Sequence, residues 1–313
     1  MTSLHIETAL LAHPQLSVAL DKQVWLKMEN TQPSGSFKLR GIGLLCQRAV
    51  AGGATRLVCP SGGNAGFAAA FAGAALGVQT TVVVPETTSA AVIQRIRDIG
   101  AEVMIRGSAW HEANQYALQL CQEDGVIYIP PFNHPDIWGG NATLMDEAAA
   151  QAKARNTDFD VVICAVGGGG LMSGILEGMH SNGMQDVPLI AVETDGAASL
   201  HAAVQADELV SLPAVTSIAT SLGATRVAEA AFDWTRQHQV HSVTVSDAQA
   251  IAACLSFADD MRTLVEPACG AALAVAYQSL PVLAPFKRPL IVVCGGIGVS
   301  LAALAGWKKT FSL

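Results

Sequence analysis

The chain has 313 residues, with 18 Lys+Arg against 26 Asp+Glu and a net charge of −8 at pH 7, a length that reads as one large domain or two modest ones. Its hydrophobic fraction of 51% against 14% charged residues excludes intrinsic disorder, which goes with too few apolar side chains to build a core. The acidic balance argues against a nucleic-acid or anionic-membrane partner, whose phosphates attract clustered Lys and Arg.

In chain order, residues 1–13 carry an early Glu7 and no basic region leading into an apolar one, so no signal peptide is expected. The cysteines, at 46, 59, 121, 164, 254, 269 and 294, are odd in number and include no CxxC pair. Reduced thiols in a cytoplasmic protein are the expectation, with neither a disulfide framework nor a zinc site. Residues 56–59 read as a strand, 60–64 as a turn and 65–76 as a helix. Strands at 80–84, 101–105 and 126–129 alternate with helices at 90–99 and 109–123. The pattern restarts with 161–166, an apolar run expected of a strand buried on both faces, followed by four glycines and a helical run, 171–179. Further strands are predicted at 189–192, 242–245 and 290–294, and a helix over 247–260 with Ser246 as N-cap. Such alternation implies parallel sheets with helices on their faces. Two sheets are expected, with the changeover in the loop-rich stretch 130–141.

Mean hydropathy is +0.37, and residues 267–286 and 289–307 lack charge over a membrane-spanning length. Gln278, Ser279, Pro281 and Pro285 break the first, and Gly295, Gly296, Gly298 and Ser300 the second. Both read as buried structure and not as spanning helices, which need about 20 predominantly apolar residues.

Four segments carry candidate chemistry. Gly167-Gly168-Gly169-Gly170 lies between a strand and a helix, where successive N–H groups and the positive helix end can cradle a phosphate. A tight turn needing close backbone approach would show the same glycines. Ser61-Gly62-Gly63-Asn64-Ala65-Gly66 occupies a second such turn, suited to a carboxylate or simply to capping a helix. Lys38 sits in the polar stretch 30–41; desolvation there would favour the free amine that a Schiff base requires, and a solvated loop lysine is the alternative. Cys294 ends the last predicted strand, where ligands sit in open α/β sheets, although a buried cysteine is also an ordinary core residue. The histidines show no metal-ligand spacing.

Taken in order, Pro33-Ser34-Gly35-Ser36-Phe37-Lys38-Leu39-Arg40-Gly41, Ser61 to Gly66, Gly167 to Leu171, Glu266-Pro267-Ala268-Cys269-Gly270-Ala271-Ala272 and Val293-Cys294-Gly295-Gly296 resemble the pyridoxal-phosphate β-family. This is fold type II, the tryptophan synthase β-like enzymes. Within it the chain is most similar to the catabolic, liver-type L-serine/L-threonine dehydratases. The resemblance covers nearly the whole chain and includes 129–132 and 193–199.

It implies two three-layer α/β/α domains with mostly parallel sheets and the cofactor in the cleft between them. A large cofactor-binding domain would span 1–37 plus 134–313, and a small substrate-carboxylate domain 38–133. Lys38 would hold pyridoxal 5'-phosphate as a Schiff base and take the α-proton as general base, with Phe37 against the ring. Gly167, Gly168, Gly169, Gly170 and Leu171 would hold the phosphate, and Asn64 the ring 3-hydroxyl. Ser61, with Gly62, Gly63, Asn64 and Ala65, would receive the substrate carboxylate. Cys294 would face the pyridine nitrogen, where a thiol cannot keep that nitrogen protonated as a carboxylate would, so elimination is favoured over transamination. Ser221 would cover the second ring face, in place of a more usual alanine.

A monovalent cation, K⁺, is implied at Glu193 and Ser199 with the carbonyls of Gly167, Ala197, Leu222 and Ala224, although Glu193 also reads as a strand-end carboxylate capping a loop. Gly62 replaces an alanine of the liver enzyme, which is expected to loosen substrate positioning. The implied activity is elimination of water from L-serine, and also L-threonine, giving pyruvate or 2-oxobutanoate and ammonia, by a cytoplasmic homodimer. The alternatives are a serine racemase or β-replacement enzyme on the same scaffold, for which Ser61 is the candidate second acid/base, or a non-catalytic cofactor- and amino-acid-binding protein.

Overall fold

The alternation of short apolar runs with Ala-rich segments resolves, in a computed structural model that describes residues 2–313, into strands and helices in the expected order. The strands are β1 (Leu10–Ala12), β2 (Trp25–Lys27), β3 (Arg56–Cys59), β4 (Gln79–Val84), β5 (Glu102–Ile105), β6 (Val126–Tyr128), β7 (Val161–Ala165), β8 (Leu189–Thr194), β9 (Val240–Val245) and β10 (Pro289–Val292). The helices are α1 (Pro14–Leu20), α2 (Lys38–Ala51), α3 (Asn64–Leu76), α4 (Ala90–Asp98), α5 (Trp110–Leu120), α6 (Pro135–Ala154), α7 (Gly170–Ser181), α8 (Ser199–Ala206), α9 (Glu229–Gln237), α10 (Asp247–Met261), α11 (Pro267–Tyr277) and α12 (Leu301–Thr310). They form two compact units, one comprising Gln32–Asn141 with the residues up to Ile6, the other Glu7–Thr31 with Ala142–Leu313.

The first unit is built on a parallel sheet of order β5-β4-β3-β6. Alternation along β3 sends Leu57 and Cys59 toward Ile42, Cys46 and the alanines of α3, while Val58 packs with Ala113 and Ala117 of α5 on the other face. Alanine suits α3 because it forms helix well and lets helix and sheet approach closely. Gly77, at φ 68°, then ends the helix in the left-handed conformation that a C-cap glycine supplies.

The second unit carries a six-stranded sheet of order β1-β2-β10-β7-β8-β9, parallel except where β1 runs antiparallel to β2. Every residue of β7, β8 and β10 is buried, as expected of strands with both faces covered. Ser246 accepts from Gln249 N and the Gln249 side chain answers at Ser246 N, a capping box that starts α10 at the expected residue. The first charge-free stretch contributes α11, buried from Pro267 to Ala276; the second is divided between β10 and α12. Among the described residues no helix is long and apolar enough to cross a membrane.

Two boundaries differ from the sequence expectation. The stretch 130–141 is not a loop throughout, because Pro135 opens the 20-residue α6, with Nδ1 of His134 accepting from Asp136 N at 3.1 Å and proline at a first helical position, where its missing N–H costs nothing. Gly140 serves helix packing: a Cβ there would come 2.5 Å from the Arg40 carbonyl of α2. The smaller unit therefore runs to 141 and not 133. It also begins at 32 and not 38, since the Gln32 side chain bonds both the N–H (3.0 Å) and carbonyl (2.9 Å) of Ile6. Residues up to Ile6 accordingly belong to the smaller unit and not to the larger one.

Candidate active site

In the first unit, the chain reverses through Gly35 at φ 74° and enters α2 at Lys38, with Phe37 as N-cap residue. Lys38 is thus a helix-start residue and not a loop residue. Its Nζ donates to the Pro131 carbonyl at 2.5 Å and lies 5.2 Å from the Phe37 ring centroid. Beside it the Ser36 hydroxyl is buried with no hydrogen-bond partner. Burial pushes the Cys59 thiol up to about 12 against the opposing pull of the nearby Lys38 charge, so Cys59 is a neutral core thiol.

The turn from β3 to α3 is held in place by Trp110, whose Nε1 donates to the Pro60 carbonyl at 2.7 Å. Ser61 Oγ accepts the Gly63 N–H at 3.3 Å, and Gly63, the N-cap of α3, has no side chain to cap the helix. Asn64 (6% exposed) and Ala65 (3%) open that helix, buried. A Cβ on Gly66 would overlap the Ser61 carbonyl, so glycine there lets the turn close onto the helix. A Cβ on Gly62 would lie 2.8 Å from Thr88 Cγ2. The space left by the missing methyl is therefore occupied by Thr88, not empty.

In the second unit, β7 runs into the tetraglycine loop. Gly169, at φ 89°, is the N-cap of α7 and provides no capping side chain, and a Cβ there would overlap that of Ala231. A Cβ on Gly167 would meet Leu222 Cα and the Ser221 carbonyl, both at 3.0 Å. The Gly168 carbonyl accepts Ala228 N–H at 3.1 Å, tying the loop to the start of α9. Leu171 is buried core, and Ser221 is exposed in a short 3-10 turn, Thr220–Leu222.

Cys294 follows β10 and is 5% exposed. Its thiol is pushed well above the ordinary range, first by a hydrogen bond with Cys269, then by burial and the charge of Glu266. Glu193, next to last in β8, is fully buried, its Oε1 accepting Leu200 N–H at 2.9 Å and its Oε2 His201 N–H at 2.7 Å. Burial raises this carboxyl to about 7 despite those donors and the Ser199 N–H. It caps the first turn of α8, and the adjacent Ser199 hydroxyl is buried without a partner. Ala197 is buried beside them, and the Leu222 carbonyl accepts Ala224 N–H at 2.8 Å.

Sequence reasoning missed Thr88, Cys269 and Glu266 as neighbours of the predicted residues. Glu266-Pro267 reads locally as an ordinary helix start; only the tertiary fold brings its carboxylate to the segment after β10.

The chain belongs to the pyridoxal-phosphate dependent enzymes, matching that family over residues 1–295. It is 45% identical to human serine dehydratase-like over 97% of this chain and 94% of that one. It is 42% identical to the bovine L-serine dehydratase/L-threonine deaminase over 99% and 97% of the two chains. The crystal structure of a fungal L-serine ammonia-lyase from Rhizomucor miehei superposes with a TM-score of 0.93 at 39% identity, covering 99% of this chain and 100% of the other.

The residues present fit the family's cofactor. The tetraglycine loop leads into a helix start that has no side-chain cap, the arrangement that receives phosphate through N–H groups. Its close approaches at Gly167 and Gly169 leave no room for a Cβ. In the other unit, Lys38 places a primary amine beside an aromatic ring, and the first turn of α3 likewise opens without a cap.

Proposed function

We propose that this protein is a pyridoxal-phosphate-dependent L-serine dehydratase that also accepts L-threonine, releasing pyruvate or 2-oxobutanoate and ammonia. The observation that carries this reading is similarity, over nearly the full length of both chains, to proteins named for that activity, with Lys38 in place. Bound pyridoxal phosphate supplies the electron sink for charge developing at the substrate Cα.

The chain's own groups do the rest. Lys38 Nζ would hold the cofactor through its aldehyde, and its amine would be the group that carries the α-proton. The N–H groups of residues 62–65 and the Ser61 hydroxyl receive the substrate carboxylate at an uncapped helix start. The Asn64 side chain would hold the ring 3-hydroxyl, Phe37 and Ser221 would bound the ring, and Gly167–Gly170 with Leu171 would hold the phosphate. Cys294, held as a neutral thiol by Cys269, burial and Glu266, would face the pyridine nitrogen without supplying a negative charge, an environment that would favour departure of the β-hydroxyl over transamination.

A monovalent cation, K⁺, belongs at Glu193 and Ser199, with carbonyls of Gly167, Ala197, Leu222 and Ala224. Supporting it are a buried carboxyl whose charged form burial disfavours and a buried hydroxyl with no partner. A cytoplasmic homodimer completes the proposal, on the family's pattern. Lys38→Ala should lose both the absorption band of the protein-bound cofactor and turnover of L-serine; retention of either would overturn the assignment of Lys38.

A further inference from the structure

Glu266 is 3% exposed and stands at the N-cap of α11, with Pro267 at the first helical position. Its main-chain carbonyl accepts Cys269 N–H at 2.9 Å and Gly270 N–H at 3.0 Å, and Cys254 Sγ donates to the same oxygen at 3.4 Å. The helix start is thus fixed by main chain, and the side chain makes no capping bond to it. The carboxylate turns instead to the segment after β10, where Oε2 accepts the Gly298 N–H at 3.1 Å. That segment is built to receive it. Gly295 and Gly296 have φ of 86° and 130°, conformations that side-chain-bearing residues rarely adopt. A Cβ on Gly296 would overlap the Glu266 carboxyl group, and one on Gly298 would lie 2.9 Å from Oε2. A carboxylate this buried is costly unless donors hold it, and here the glycine turn supplies one. Cys294 is the residue immediately before this turn, and its thiol senses the Glu266 charge.

We propose that Glu266 is a positioning residue for the pyridine-nitrogen edge of the cofactor site: its carboxylate clamps the turn 295–298 and thereby sets the Cys294 side chain. This rests on the reading of Cys294 given above. Removing the clamp frees the turn and loosens the main chain that follows Cys294, so cofactor affinity falls. Replacing it by an isosteric amide keeps an oxygen that accepts the same N–H, so affinity is retained.

The full-length protein tests this in two arms. In cofactor-free protein, the Gly298 amide should exchange with deuterium about tenfold faster in Glu266→Ala than in wild type, equivalent to about 1.4 kcal/mol of lost protection, and within about threefold of wild type in Glu266→Gln. The pyridoxal phosphate Kd should follow the same order, about tenfold weaker for Glu266→Ala and near wild type for Glu266→Gln. Unchanged exchange in Glu266→Ala, faster exchange with unchanged affinity, or a Gln variant as impaired as the Ala variant would each overturn the proposal. If the Ala variant does not fold, Glu266→Asp withdraws the carboxylate by one methylene at constant charge. It should then show both faster exchange and weaker cofactor binding, and wild-type behaviour would refute the clamp. A bound-cofactor absorption band in wild type that Lys38→Ala lacks keeps the cofactor reading standing, so the Glu266 variants judge the clamp alone. Absence of that band in wild type removes the cofactor reading, while the exchange arm still decides whether the clamp exists.

Discussion

Gly169→Ala perturbs the proposed phosphate seat where the backbone is left-handed and closely packed. Two costs combine there. An alanine at φ 89° pays the left-handed penalty of about 1–2 kcal/mol, and its Cβ overlaps that of Ala231, an overpacking worth about 1–3 kcal/mol. The expected loss of stability is therefore about 2–5 kcal/mol. Gly183 is the matched control: its φ is 71° and nothing lies within 4 Å of an added Cβ, so Gly183→Ala bears the first cost alone. Because relieving the overlap with Ala231 shifts the loop against α9, Gly169→Ala should also weaken pyridoxal phosphate binding at least about tenfold, the equivalent of about 1.4 kcal/mol and less than one charge-assisted hydrogen bond can contribute. Gly183→Ala should leave that affinity unchanged. Urea unfolding of the cofactor-free proteins and fluorescence titration with pyridoxal phosphate measure the two effects. Equal destabilisation by both variants, with wild-type cofactor affinity in each, would refute the reasoning that close backbone approach builds the phosphate seat.

Stability should fall on acidification below pH 6.5, the ordinary histidine value, because burial depresses His13 and His238 below it and the unfolded chain then binds more protons than the native one. Leu16 N donates to His13 Nδ1 at 3.2 Å, while Nε2 meets the Tyr277 hydroxyl at 2.9 Å and that hydroxyl donates to Asp260, a network that only the neutral ring completes. His13→Asn, which preserves an N-cap acceptor, should flatten the decline measured by denaturant titration across pH; an unchanged slope would contradict it. In the native protein at mildly alkaline pH, Cys121 should be alkylated well before Cys46, Cys59, Cys164, Cys254 and Cys294, which are buried and whose thiols are raised by burial or by buried neighbours; mass mapping of early adducts on any of those five would count against the packing described. Exchanging K⁺ for a large organic cation should lower turnover several-fold in wild type and have little further effect in Glu193→Gln; cation-independent wild-type rates would remove the cation from Glu193.

The sheet strands were legible because β7, β8 and β10 are short apolar runs bounded by turn residues, and the tetraglycine loop announced itself by composition. What escaped was set by long-range packing. The stretch 130–141 read as loop, yet α6 runs from Pro135 through Gly139 and Gly140, with Gly140 packed closely against the Arg40 carbonyl. The limits of the smaller unit depended on Gln32 reaching Ile6, a pairing with no local signature. Lys38 and the Ser61–Gly66 turn are proposed as site residues on resemblance, since alone they read as a loop lysine and a helix cap, whereas Thr88 filling the space beside Gly62 and Glu266 meeting Gly298 are contacts between segments far apart in sequence. Glycine at 62 suggested a loosened loop; with Thr88 in view it is a position where an added methyl has no room.

The central claim is elimination of water from L-serine. Purified protein saturated with pyridoxal phosphate and K⁺ should convert L-serine to pyruvate with equimolar ammonia, convert L-threonine to 2-oxobutanoate, and leave D-serine untouched with no enantiomer formed. Absence of oxo-acid from every substrate, or D-serine accumulating from L-serine in its place, would contradict it.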